Sequence, residues 1–241
     1  MKVVSLVPSL TEAVASCAPE LLAGVTDWCT HPPDLDAHGA VRVGGTKNPD
    51  VARIVALAPD LVLANEEENR APDLAALRAA GLDVLVTEIR DLPSALQELE
   101  RVLVRGCRLG RPGWLDVAAE AWHAPARLAD VRAVVPIWRR PWMVLGRDTF
   151  AGDLLARLGV VNVYASHADR YPRIPLDELR AARPEVLVLP DEPYRFSAED
   201  GPEAFPGVPA ALVDGRHLTW YGPSLARATE VLGAQLRAAL A

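Results

Sequence analysis

The chain has 241 residues, half of them hydrophobic and 24% charged, which is enough apolar material for one large or two small cores and unlike a disordered polymer. Its formal net charge is −7 with no basic stripe, so nucleic acid is not an expected partner. Three cysteines (Cys17, Cys29 and Cys107), with no CxxC and no zinc-type spacing, argue against a disulfide framework.

VVSLV (3–7) reads as a strand leading into a helix from Thr11 to Ala18, with Thr11 placed to cap it and Glu12 in its first turn. LLAGVTDW (21–28) is a second strand ending in the loop CTHPPDLDAHG. The turn-rich VRVGGTKNPD (41–50) leads to a helix over 49–57, and DLVLA (60–64) is the next strand. A helix over 72–80 stops at Gly81, followed by strand LDVLVTE (82–88) and a helix over 93–104 with Leu96, Leu99, Val102 and Leu103 at helical spacing. RGCRLGRPG (105–113) breaks the pattern, and 114–130 reads as a helix kinked at Pro125. AVVPIW (133–138) and WMVLG (142–146) are strands, and helices are predicted over 149–158, 176–182 and 223–240. Strands alternating with helices of this length predict an α/β fold with mainly parallel sheets and helices on both faces. No apolar run approaches the ~20 residues of a membrane span. The N-terminus also lacks the apolar core of a secretory signal. The chain as written therefore reads as cytoplasmic, or as periplasmic or cell-surface if its N-terminus was trimmed.

The second half repeats the order of the first. Val3 to Val14 and Trp142 to Leu155 share a strand, a small-residue turn and a helix; Ala52 to Asn69 and Leu176 to Tyr194 share a helix, a Pro-acid pair, an apolar strand and an acidic loop. The repeat predicts two Rossmann-like lobes, 1–108 and 133–241, joined by a connection over 109–132, with a ligand cleft between them.

Ligands of α/β folds meet the loops at the carboxyl ends of strands. Those loops hold Pro8 and Ser9; Trp28, Cys29 and His31; Thr46 and Lys47; Asn65 with Glu66, Glu67 and Glu68; and, in the second half, Arg147, Glu192, Tyr194, Trp220 and Tyr221. Trp28, Tyr194, Trp220 and Tyr221 would form rigid surfaces for a large planar ligand, or else serve as lobe-core aromatics. Cys29 and His31 stand two residues apart with no third ligand in view, a thin basis for a metal site beside the alternative of a loop packed by His31. GGTK lacks the phosphate-loop spacing, no GxGxxG follows a strand, and VPSLT around Ser9 is not a nucleophile elbow. The acidic loops of the two halves, Glu66 to Glu68 and Glu192, match in position and would suit a two-fold partner that presents arginines.

SLVPSLTE (5–12), GVTDWCTHPP (24–33), VGGTKNP (43–49), APDLVLANEEENR (58–70), RDTFAGDLLARLGVVNV (147–163) and RPEVLVLPDEPYRF (183–196) resemble, in order and over nearly the whole chain, the helical-backbone (class III) substrate-binding proteins of ABC transporters, nearest to their cobalamin-binding branch. The resemblance implies two lobes on one long backbone helix and a non-catalytic protein that binds cobalamin or a similar metal-containing ligand, as cargo rather than cofactor. It implies pocket residues at Trp28, His31, Trp220 and Tyr221, and docking of Glu66 to Glu68 and Glu192 onto an ABC permease. Thr219-Trp220-Tyr221-Gly222 departs from the cobalamin pattern in lacking an acid and an arginine, which leaves another corrinoid or metal chelate open. The competing reading is a cytoplasmic metal-binding or enzymatic protein on the same fold. A monomer is expected.

Overall fold

The computed structural model describes every residue, Met1–Ala241. Two compact units emerge: the first holds Met1–Ile89, Pro93–Asp116 and Tyr221–Pro223, the second Arg90–Leu92, Val117–Trp220 and Ser224–Ala241.

The first unit begins with β1 (Val3–Ser5), α1 (Pro8–Ala15), β2 (Leu22–Val25) and β3 (Val41–Arg42). A two-residue-per-arm hairpin, β4 (Gly44–Gly45) and β5 (Asn48–Pro49), precedes α2 (Val51–Leu57). Then come β6 (Leu61–Asn65), α3 (Ala71–Ala79), β7 (Val84–Thr87) and α4 (Leu92–Glu100), continued by a π-helical stretch over Arg101–Gly106. Five strands pair in the order β3-β2-β1-β6-β7, all parallel. Every residue of β6 is buried, as befits a central strand covered on both faces. Val4, Leu6, Val62 and Ala64 of the sheet region pack with Ile54, Leu74 and Leu77 of the covering helices. Each large side chain so buried contributes about 1.5–3 kcal/mol.

Helix α1 starts three residues earlier than its sequence suggested. Pro8 occupies its first turn, where a missing N–H costs nothing and the ring's fixed φ suits a helix. Thr11 is therefore not a cap; it lies buried inside the helix. Asp50 is a true cap, its carboxylate accepting the Arg53 N–H at 2.9 Å.

Helix α5 (Gly113–His123) contains the division between the units, after Asp116. It ends before Pro125 rather than bending through it, since the residue ahead of a proline is biased away from helical geometry.

The second unit holds β8 (Val131–Val134), the antiparallel pair β9 (Pro136–Arg139) and β10 (Trp142–Val144), α6 (Phe150–Arg157), β11 (Val160–Asn162), α7 (Leu176–Ala181), β12 (Val186–Pro190), β13 (Ala210–Val213), α8 (Gly215–Thr219) and α9 (Leu225–Leu240). Its sheet runs β11-β8-β12-β13, again all parallel. The core joins Val134, Leu187 and Leu189 to Leu179, Phe196 and Phe205. Strands β11 and β13 and the short helix α8 escaped the sequence pattern, while the strands read over 133–138 and 142–146 supply β9 and β10, which pair antiparallel outside the four-stranded sheet. No helix is long and apolar enough to cross a membrane.

Candidate functional site

Because the strands of the first unit's five-stranded sheet are all parallel, the loops that follow them leave the same edge of that sheet, and side-chain hydrogen bonds lock these loops together. The Asn69 amide nitrogen donates to the Leu6 carbonyl at 3.2 Å and to the Thr46 carbonyl at 2.9 Å, and its oxygen accepts the Asn65 N–H at 2.9 Å. One asparagine thus ties together the loops after β1, β3 and β6. The Asp27 N–H donates to the Gly44 carbonyl at 2.9 Å, which fastens the loop after β2 to the β4–β5 hairpin.

Trp28 stands on this edge with 66% of its surface exposed. What presents it lies beneath. Arg42 donates to the carbonyls of Thr26 (2.8 Å) and Cys29 (2.9 Å), and the Cys29 N–H closes a turn onto the Thr26 carbonyl. Beside it, Gly45 leaves room for the Asn48 side chain, which a Cβ there would overlap, and lies in contact range of Trp28 Nε1.

Cys29, expected to contact ligand, is instead fully buried, its sulfur 3.1 Å from both the Thr11 and Thr26 hydroxyls. Burial pushes its thiol pKa up, against the two hydroxyl contacts, so the reactive thiolate is disfavoured. It anchors the loop from below. His31 is partly exposed, with Nδ1 3.1 Å from the Thr30 hydroxyl. The Cys29 sulfur and the His31 ring therefore face different partners, which removes the two-residue metal reading.

Asn65, also expected at the ligand, is buried with its side chain fully engaged. It donates to the Thr87 carbonyl and hydroxyl at 3.1 and 3.0 Å and accepts the N–H of Glu67 at 2.9 Å and of Glu68 at 3.3 Å. It folds the acidic loop rather than reading a ligand. Lys47 Nζ donates to the Glu67 carbonyl, which draws the hairpin's cation onto that loop. Glu66 is exposed, while Glu67 and Glu68 are half-buried. Burial raises the Glu68 pKa, Lys47 opposing and Glu67 reinforcing the shift. Pro8 is partly exposed at the start of α1 and Ser9 is buried beside it. A Cβ on Gly222 would lie 3.2 Å from the Ser9 carbonyl, which places the Tyr221–Pro223 segment over the start of α1.

In the second unit, Arg147 is exposed and pairs loosely with Asp148 at 3.6 Å. Asp148 takes a left-handed φ of 50° and its carbonyl accepts from Arg170 Nε at 2.9 Å. The turn depends on Gly146, where any Cβ would overlap the Asp169 carbonyl. Tyr194 belongs to the unit's own aromatic cluster, 4.7 Å from Phe196 and 5.5 Å from Trp138 between ring centroids, with its hydroxyl donating to Asp200 at 2.6 Å. It is partly exposed, with one side packed in this cluster. Trp220 and Tyr221 are each only 8% exposed.

Glu192 was expected to face a partner. It is half-buried, and its carboxylate accepts a hydrogen bond from the Trp220 side chain. Burial, reinforced by Asp191 and Asp214 and opposed by Arg216 and Trp220, holds its pKa up at about 7. Arg42, Asn69 and Gly215 carry the loop architecture but had no mark in the sequence, because their partners lie far along the chain.

No family model matches the chain. Its sequence is 23% identical to the vitamin B12-binding protein of Pectobacterium carotovorum, over 98% of this chain and 88% of that one. It is 24% identical to the protein of the same name from Pectobacterium atrosepticum, over 78% of this chain and 71% of that one. Among solved structures, the periplasmic vitamin B12 binding protein BtuF of Vibrio cholerae superposes with a TM-score of 0.75 at 19% identity, covering 99% of this chain and 97% of that one. The periplasmic heme-binding protein RhuT from Roseiflexus sp. RS-1 gives 0.78 at 20% identity, covering 100% and 99%. The chain therefore has the fold of the helical-backbone substrate-binding proteins of ABC transporters. In sequence it is similar to vitamin B12-binding proteins, which are binding proteins rather than enzymes.

Proposed function

We propose that the chain is a non-catalytic binding protein for cobalamin or a related metal-containing macrocycle, and that it delivers this ligand to an ABC permease from the periplasm or cell surface. The observation that carries the reading is Trp28: a tryptophan two-thirds in water, held on a clamped loop at the carboxyl edge of a parallel sheet. Exposed indoles of this kind are suited to stacking on a large planar ligand. Names of relatives support the ligand class: vitamin B12 for the sequence relatives, vitamin B12 and heme for structures of the same fold.

In this reading Trp28 is the main contact of the first unit, with Pro8, His31 and Thr46 as further candidates; taken by itself, the second unit offers Arg147 and Trp220 as its candidate contacts. The exposed acidic loop at Glu66 is the candidate docking point for a permease arginine. The repeat is the support for reading lobes over 1–108 and 133–241 with a connection over 109–132.

Gel filtration of the purified protein with cyanocobalamin, and separately with hemin, tests the reading through the ligand's visible absorption. Co-elution of one of them at one per chain is expected. Elution of both ligands entirely apart from the protein, at concentrations well above micromolar, would refute it.

A further inference from the structure

We propose that Glu192 is the positioning residue of Trp220: its carboxylate accepts the indole N–H and fixes the ring at the end of α8. The inference deepens the reading above, since it takes Trp220 as one of the ligand contacts.

The geometry is built around α8. Where β12 ends, the Asp191 N–H bonds to the Val213 carbonyl at 3.2 Å, and Asp191 Oδ1 accepts the Gly215 N–H at 2.7 Å. This brings the 191–192 loop against the start of α8. Gly215 is what allows the approach: a Cβ there would overlap Glu192 Cγ and stand 2.8 Å from the Glu192 nitrogen. Asp214 caps the helix by accepting the His217 N–H at 2.9 Å, and the helix ends where the Trp220 N–H bonds to the Arg216 carbonyl at 3.1 Å. Trp220 stands at the far end of this five-residue helix, and its indole N–H donates to the Glu192 carboxylate.

The charged groups around Glu192 are Asp191 on its own loop, Asp214 and Arg216 at the start of α8, and His217, which pairs with Asp214 at 2.9 Å. Two acids and partial burial oppose ionisation of Glu192; Arg216 and the indole favour it. The balance leaves the group able to change charge near neutral pH. A carboxylate accepts an N–H more strongly than a neutral carboxyl does, so ionisation tightens the hold on Trp220. A glutamate arranged for docking would instead stand ionised in solvent, with no indole donor on it.

The indole N–H resonance of Trp220, read by ¹H–¹⁵N NMR without ligand, tests the contact directly. The chain has six tryptophans, so Trp220→Phe supplies the assignment. The resonance should move with a midpoint near neutral pH in the wild type and stay flat in Glu192→Gln, whose amide oxygen still accepts but cannot ionise. A resonance that does not titrate, or titrates identically in the variant, overturns the proposal. With cyanocobalamin as the probe, Glu192→Ala should weaken binding about tenfold while Glu192→Gln stays within roughly threefold of the wild type. The wild type alone should bind more tightly at pH 8 than at pH 6. Equal losses in Glu192→Ala and Glu192→Gln, or a fold broken in both by circular dichroism, would show a purely structural role and also overturn it. If the resonance titrates as described but neither Glu192→Ala nor Trp220→Phe changes binding, the positioning stands and Trp220's place at the ligand falls.

Discussion

An indole two-thirds in water forgoes hydrophobic stabilisation, and Trp28 keeps that exposure only because its neighbours hold the loop for it. Arg42 is the neighbour that matters most, with two hydrogen bonds to the carbonyls of Thr26 and Cys29. Hydrogen bonds to a charged donor contribute about 1.5–3 kcal/mol each. The Arg42 side chain is partly in solvent, which places it at the low end. Arg42→Ala should lower thermal stability measurably and weaken ligand binding, though it touches no ligand; calorimetric melting and a binding titration read the two effects. Glu192 gives a second prediction. Its folded pKa of about 7 lies above the usual 4.5, so the folded state holds a proton that the unfolded chain releases. Stability tied to this group is therefore lost as pH rises from about 4.5 through 7. Glu192→Gln cannot ionise and should melt higher than the wild type at pH 8, with the gap closing toward pH 5, in scanning calorimetry. The sequence made Trp28 stand out, because a tryptophan after a short strand is rare and chemically expressive. It did not show that Cys29 and Asn65 are buried, since their partners Thr11 and Thr87 are settled by the fold rather than by local pattern.

The alternation of apolar strands with helices was plain from periodicity, and the strands β1, β6, β7 and β12 fall where their valine- and leucine-rich runs lie. Ends were harder. Pro8 starts α1 where Thr11 looked like the cap, and α5 stops before Pro125. Helix α8 is five residues long, too short for a helical period to emerge, and its cap Asp214 sits in a run that reads as loop. The loop edge of the first unit depends on one side chain that no element advertises, Asn69. Asn69→Ala would strand the Leu6 and Thr46 carbonyls and the Asn65 N–H. A buried group left without a partner costs about 1–3 kcal/mol. Partial access of water to the loop offsets some of it, so a loss of a few degrees in melting temperature is expected for a chain of this size. An unchanged melting temperature would show that the loops are held by other means.

Across the whole chain, the repeated order of strand, turn and helix foretold two α/β halves, and two separate parallel sheets of five and four strands are found. Identity to relatives is only 19–24%, yet the fold superposes over nearly the full chain. Core positions tolerate exchange among apolar residues of similar size, whereas the order of elements does not change. The motif order across both halves pointed to the helical-backbone fold, but the segment before α9 matched the cobalamin pattern poorly, and ligand identity depends on such loops. The central claim is that the chain binds a planar metal-containing macrocycle by stacking on Trp28. Titration calorimetry with cyanocobalamin and with hemin, on the wild type and on Trp28→Ala, tests it most directly. One ligand should bind the wild type at one per chain and lose about 2–4 kcal/mol in the variant, as truncated aromatic anchors do. Equal affinity in the two proteins, or no heat with either ligand, would contradict it.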